Sequence, residues 1–205
     1  MYYRSFGKRT VDVFSSLIFL VILAPLFVFV GLLIRCIDGA PILFMQKRPG
    51  LHGQLFWIIK FRTMNQDSVT FESDQMEATR VTRLGNWLRR SGIDELPQLW
   101  NVLKGEMSIV GPRPLLPEYL PVYTPTQKKR HLVRPGISGL AQINKNTKTT
   151  WNERLEQDVW YVENYSMLLD LRILLRTFST VLLALRSGNG EPQFMEHFKG
   201  TPNED

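Results

Sequence analysis

The sequence predicts a helix-dominated α+β fold carried on a re-entrant N-terminal membrane helix, and three observations predict it. Residues 13–34 form an uncharged apolar run. Residues 41–61 hold two short apolar stretches around a turn, the pattern of a small β-hairpin. Residues 151–186 carry apolar side chains at helical spacing, as amphipathic helices do.

The first element is long enough for a helix to cross a hydrocarbon core of about 30 Å. It also contains Pro25 and Gly31. A proline inside a helix lacks the backbone donor and presses its ring on the carbonyl four residues earlier, here Val21. Basic residues flank both ends: Arg4, Lys8 and Arg9 before, Arg35, Lys47 and Arg48 after. Because basic flanks favour the cytoplasmic side, this distribution gives no crossing direction. A helix that enters, bends at Pro25 and leaves by the same face satisfies both observations. The run exceeds the apolar core of a signal peptide, and Arg35-Cys36-Ile37-Asp38 is no small-residue cleavage site.

The following elements are short. Residues 41–45 and 55–61 read as paired strands, with Gln46-Lys47-Arg48-Pro49-Gly50 as the turn signal and a loop through Gly53. The polar stretch 65–77 reads as a mobile surface loop. Helical patterning returns over 81–90 and 95–104, with Gly105 as a stop. Gly111-Pro112-Arg113-Pro114, Pro117, Pro121 and Pro125 keep the next segment extended or turning, and Arg134-Pro135-Gly136 begins another turn. The final helical stretch breaks near Asn164-Tyr165-Ser166. Its second half contains Asp170, Arg172 and Arg176, which are costly in a spanning helix. Leu168, Leu171, Leu175, Phe178, Leu182 and Leu185 instead make one stripe, buried on the core or lying in the headgroup region. The tail from Gly188 is polar except for Phe194, Met195 and Phe198, which are expected to pack back.

With 205 residues the chain suffices for one domain plus an anchor, and its net charge of +6 suits an anionic partner. The lone Cys36 permits no internal disulfide. The three histidines and this cysteine lack zinc-ligand spacing, and no Gly-rich phosphate loop is present. No nucleic-acid motif accompanies the charge.

Asp94 and Glu95 open the second helical segment, with Pro97 in its first turn. One reading is an N-cap, because acids there complement the helix dipole and free donors. The other is phosphate chemistry with a metal and a carboxylate nucleophile, to which the neighbouring Arg89, Arg90 and Arg113 point.

Three stretches carry a resemblance: Asp94-Glu95-Leu96-Pro97-Gln98; Asn101 through Pro114; and Val133-Arg134-Pro135-Gly136-Ile137-Ser138-Gly139-Leu140-Ala141-Gln142. The sequence resembles the bacterial sugar transferase family, the monotopic phosphoglycosyl transferases that start glycoconjugate assembly on a polyprenol carrier. The likeness runs from about residue 8 to 186. Chain length, Leu115-Leu116-Pro117-Glu118-Tyr119-Leu120 and Phe198-Lys199-Gly200 look most similar to the small forms, such as the diacetylbacillosamine phosphate transferases. The resemblance implies an anchor over 1–36, a cytoplasmic catalytic domain with interfacial helices over 37–187, and a polar tail over 188–205. It places the chain at the cytoplasmic face of a bacterial inner membrane, among anionic lipids.

The activity so implied is transfer of a sugar 1-phosphate, expected to be N-acetylated, from a UDP-sugar to undecaprenyl phosphate. Asp94 would be the nucleophile and hold Mg²⁺, and Glu95 would orient the metal-bound nucleophile or assist the incoming lipid phosphate. Lys60, Arg62, Arg89, Arg113 and Arg134 are the candidate phosphate clamps, because cationic side chains suit such oxygens. Each also has a plain reading as a surface or structural ion pair. Gln142, Asp158 and Tyr161 match family positions that support the site or pack. Downstream glycosyltransferases would take the product. A hexose donor is the nearest alternative, and a non-catalytic, lipid-binding basic module is the alternative from another class. The sequence departs from the family at Ala24, where serine commonly precedes the bend proline, and at Lys145-Asn146, where Gly-Arg is usual. Lys145 or Lys148 would replace that arginine, and the departure bears on the identity of the sugar.

Overall fold

A computed structural model describes residues 3–65, 80–144 and 149–187, together with Phe198 and Gly200. The expected surface loop from Gln66 onward, Lys145, Asn146, Lys148, Phe194 and Met195 lie outside the described residues.

After a single π-helical turn, Tyr3–Gly7, the chain forms α1 (Lys8–Ile22) and α2 (Ala24–Ile37), which meet at Leu23 with a 60° bend. Pro25 stands in the first turn of α2, where its absent N–H leaves no bond unmade. The expected bend is therefore a break between two helices just before the proline. Neither helix alone is long and apolar enough to cross a membrane. Around the bend Phe14, Leu17, Ile18, Val21, Ile22, Val28 and Phe29 are exposed, while Val30 and Ile34 of α2 are buried against Phe61 and Leu88.

The hairpin is present, with strands β1 (Leu43–Pro49) and β2 (Leu55–Phe61) paired antiparallel from Leu43–Phe61 to Pro49–Leu55. Residues 46–49, expected to turn, continue β1, and the turn falls on a 3₁₀ segment, Leu51–Gly53. Lys47 has a packing reason to stay in the strand: its ammonium lies over the Trp57 ring on the partner strand.

The next helical segment is α3 (Arg83–Ser91), capped by the Thr82 hydroxyl, which accepts from the Gly85 N–H. The helix expected over 95–104 divides into a 3₁₀ stretch, Ile93–Gln98, and α4 (Leu99–Lys104). Pro97 inside the tight stretch accounts for the change of pitch. Gly105 ends α4 in the left-handed conformation, as expected. Arg9 of α1 donates to the Val102 and Leu103 carbonyls there, a cation at the negative end of the helix.

A second sheet, unforeseen from sequence, pairs β3 (Ser108–Val110) with β4 (Gly136–Ser138) in parallel. Gly136 is required here: a Cβ on it would lie 2.0 Å from the Gly111 nitrogen. Between the strands run two 3₁₀ turns and the short helix α5 (Pro125–Lys128). Then come α6 (Leu140–Ile143), α7 (Trp151–Asn164) and α8 (Met167–Ser187). The break at Tyr165-Ser166 agrees with expectation.

On α8 the core reading of the leucine stripe is overturned. Leu168, Leu171, Leu175, Phe178, Leu182 and Leu185 all point outward, while Asp170 and Ile173 face inward. The inward aspartate is satisfied: Tyr3, Lys8 and Tyr161 all donate to its carboxylate. That network ties the N-terminal segment to α7 and α8. Phe198 packs back, as expected, among Tyr119, Tyr123 and Trp151.

Candidate active site

The site forms where α3 gives way to the 3₁₀ stretch. Gly92 adopts a positive φ of 69°, which turns the chain sharply and puts Asp94 and Glu95 in the next first turn. β2 packs along this stretch and brings Lys60 to it. Asn101 fixes the two together: its Oδ1 accepts from the Ile59 N–H and its Nδ2 donates to the Trp57 carbonyl. A side chain thus completes the edge of β2 where no strand does.

Glu95 is held from two sides. Lys60 Nζ donates to its Oε1 at 2.7 Å, and the Arg113 fork reaches both oxygens, at 2.8 and 3.4 Å. Burial alone would raise the Glu95 carboxyl, but Arg113 and Lys60 outweigh it and hold it well below the usual carboxylate range. Asp94 differs. It is only 7 % exposed, and its carboxylate accepts no hydrogen bond among the described residues. Burial, and then the negative Glu95 beside it, push its pKa up to about 6 against the pull of Lys60, Arg89 and Arg113. Of the cap reading only the dipole half holds: both acids stand in the first turn, but neither carboxylate accepts a helix N–H among the described residues.

Arg89 comes from the last turn of α3, and its Nε donates to the Thr63 hydroxyl at 2.8 Å. The site therefore gathers Lys60, Arg89, Asp94, Glu95 and Arg113. Four other sequence candidates do not join it. Arg62 is buried and donates to the Asp38, Gly39 and Ala40 carbonyls, closing the link from α2 to β1. Arg134 donates to the Gly105 carbonyl at the end of α4. The Gln142 amide donates to the Ile137 carbonyl. The Tyr161 hydroxyl donates to Asp170 at 2.7 Å and packs in the core. Asp158 acts one step removed: it is buried with Arg130, which also donates to the Arg113 carbonyl at 2.6 Å. Sequence reasoning missed Arg130, for a basic residue in Lys128-Lys129-Arg130 looks like solvated charge. Its depth shows only once Asp158 is brought opposite.

A model of the bacterial sugar transferase family matches residues 3–184. The chain belongs to that family. The transferase is 45% identical to EpsL of Bacillus subtilis, an uncharacterized sugar transferase, over 86% of its own length and 88% of that protein. It is 39% identical to a UDP-glucose:undecaprenyl-phosphate glucose-1-phosphate transferase of Caulobacter vibrioides, over 85% of the chain and 69% of the relative. A UDP-N-acetylgalactosamine-undecaprenyl-phosphate N-acetylgalactosaminephosphotransferase of Aeromonas hydrophila is 37% identical over 87% of the chain, which spans 44% of that longer protein. The gathered site residues all lie inside the matched region of the transferase.

The magnesium ion that the resemblance implies would meet one unengaged carboxylate here, that of Asp94. Mg²⁺ is usually bound through one or two carboxylates plus substrate phosphates, not by an all-protein cage. Asp94 leaves its oxygens unengaged, Glu95 is taken by two cations, and no group of three metal-binding side chains occurs among the described residues.

Proposed function

We propose that this transferase moves a sugar 1-phosphate from a UDP-sugar to undecaprenyl phosphate through a covalent intermediate on Asp94. The observation that carries this reading is the contrast between the two carboxylates: Glu95 is locked between Lys60 and Arg113, and Asp94 is buried beside it with oxygens free to react.

In the first step an Asp94 oxygen attacks the β-phosphorus of the donor. The bond between that phosphorus and the bridging oxygen breaks, and UMP leaves with the bonding pair. The sugar phosphate remains on Asp94 as an acyl phosphate. In the second step a phosphate oxygen of undecaprenyl phosphate attacks the same phosphorus, and Asp94 leaves as its carboxylate. Two displacements allow two polyanions to use one site in turn instead of facing each other. Arg89 and Arg113 stay charged at any working pH and neutralise the phosphoryl oxygens. Glu95 keeps Lys60 and Arg113 in place. Asp94 would hold Mg²⁺, which would supply further neutralisation of the diphosphate when bound.

The N-acetylated donor rests on likeness to the small forms of the family. A UDP-hexose is the second reading, favoured by relatives named for glucose and galactose. For its acceptor the site must stand at headgroup depth on the cytoplasmic face of a bacterial inner membrane. Two features support a monotopic seat there: the exposed apolar side chains around the 60° bend, and the outward stripe of α8. The product, a diphosphate-linked lipid, suits glycosyltransferases that extend it.

The test is incubation with a UDP-sugar labelled in its β-phosphate, without acceptor lipid, followed by digestion and mass analysis. The expected result is a labelled peptide containing Asp94, lost on adding undecaprenyl phosphate. In Asp94→Asn the label and UMP release vanish while membrane association persists. Turnover without an adduct would overturn the covalent route, and turnover by Asp94→Asn would overturn the assignment.

A further inference from the structure

Arg154 occupies a position that is unfavourable three times over in the free protein. It lies at the start of α7, which begins at Trp151, so its charge faces the positive end of the helix. Its Nε is buried and makes no hydrogen bond among the described residues. Its charge also opposes that of Arg113, and burial and that repulsion together lower its affinity for its proton. Neighbouring guanidiniums are differently placed. Arg113 is forked on Glu95, and Arg130 is bound to Asp158 and to the Arg113 carbonyl. Among the described residues Arg154 has only the more distant pull of Asp158 and the face of Trp151, over which it lies at 5.9 Å. The Trp151 ring restrains the guanidinium at little cost, because stacking leaves its in-plane donors available.

We propose that Arg154 binds the phosphate of the nucleotide that is not transferred, the one that leaves as UMP. This rests on the reading of the site given above. Arg154 stands one helical turn before Asp158, whose partner Arg130 donates to the Arg113 carbonyl, and Arg113 is the partner of Glu95, so an anion between Arg154 and Arg113 would adjoin the reacting centre without occupying it. Such an anion, met by the outer guanidinium nitrogens, relieves the helix-end placement and the mutual repulsion together. Arg154 thereby discriminates for a nucleotide donor over a simple sugar phosphate, and it acts in binding the donor and in rebinding UMP, not in the lipid step.

The test is UMP binding by titration calorimetry, with the unaltered protein, Arg154→Gln and Arg154→Lys. We expect Arg154→Gln to weaken UMP binding about tenfold or more, the usual worth of a hydrogen bond to a charged group. Arg154→Lys, which keeps charge but lacks the fork, should fall between. The apparent KM for undecaprenyl phosphate should change less than twofold. Without ligand, Arg154→Gln should melt at the same temperature as the unaltered protein or above it, because a repulsion is removed. A merely structural arginine would lower it. Equal UMP binding by Arg154→Gln and the unaltered protein would overturn the role of Arg154 alone. Failure of the unaltered protein to bind UMP would overturn the proposed donor with it.

Discussion

Asp94 and Glu95 are adjacent in sequence yet electrostatically opposite, because only one of them can meet Lys60 and Arg113. The consequence is open to direct titration. In magnesium-free buffer the Asp94 carboxylate should titrate with a midpoint near 6, above the usual range, followed by carbon-13 resonances of labelled aspartate. Glu95→Gln removes the second-largest cause of that elevation and leaves Lys60, Arg89 and Arg113 beside Asp94, so the midpoint should fall well below 6. An unchanged midpoint would mean that Glu95 does not set the Asp94 charge. That this pair would stand among cations was legible in the sequence from its place near Arg89 and Arg113. What could not be read was the division of labour, since it depends on a lysine 35 positions away in another element.

Between elements, close approaches and borrowed hydrogen bonds set the site. Gly85 of α3 lies against Thr63, and a Cβ there would stand 2.1 Å from the Thr63 carbonyl oxygen. That atom is fixed, since it also accepts the Thr82 N–H. Gly85→Ala should therefore push α3 and Arg89 away from the strand end and cost about 1–3 kcal/mol, seen in chemical melts. Asn101→Ala leaves the Ile59 N–H and the Trp57 carbonyl unpaired and should cost roughly 2–4 kcal/mol. If stability held while activity fell, Asn101 would be acting on chemistry and not on the joint. The helices and the hairpin were foreseeable from periodicity and turn residues. The parallel pair β3–β4 was not, because three-residue strands have too little pattern to register and the prolines around them signal only turns. The leucine stripe of α8 was legible as a stripe but not in its direction. Asp170, read from sequence only as a charge costly in a spanning helix, marks the buried face because Tyr3, Lys8 and Tyr161 wait for it there.

For the whole molecule, acid sensitivity follows from His131. Burial, and the nearby Arg130, lower its pKa to about 4 from an ordinary 6.5, with its Nδ1 near the Gly50 carbonyl. The unfolded chain thus binds the extra proton first, and the stabilisation is complete above pH 6.5 and lost as pH falls towards 4. A loss of about 3 kcal/mol is expected over that window. Asp94, whose carboxyl is raised, works in the opposite sense from about 3.8 to 6, so the comparison is with a variant. Urea melts at pH 7 and 4.5 should show a smaller difference for His131→Gln than for the unaltered protein; equal differences would exclude the histidine as the cause.

Arg62 gives the joint between α2 and the hairpin its mechanical character. By gripping three successive carbonyls just beyond α2, it makes that stretch a stiff bracket instead of a leash. Lys60 stands two residues before Arg62, so its height is set by α2 as a shelf is set by its wall fixing. Inserting a flexible glycine spacer after Ala40 should leave the protein bound to vesicles yet sharply slow transfer to a lipid acceptor. If transfer in that variant matched the original, the depth of the reacting centre would owe nothing to this bracket.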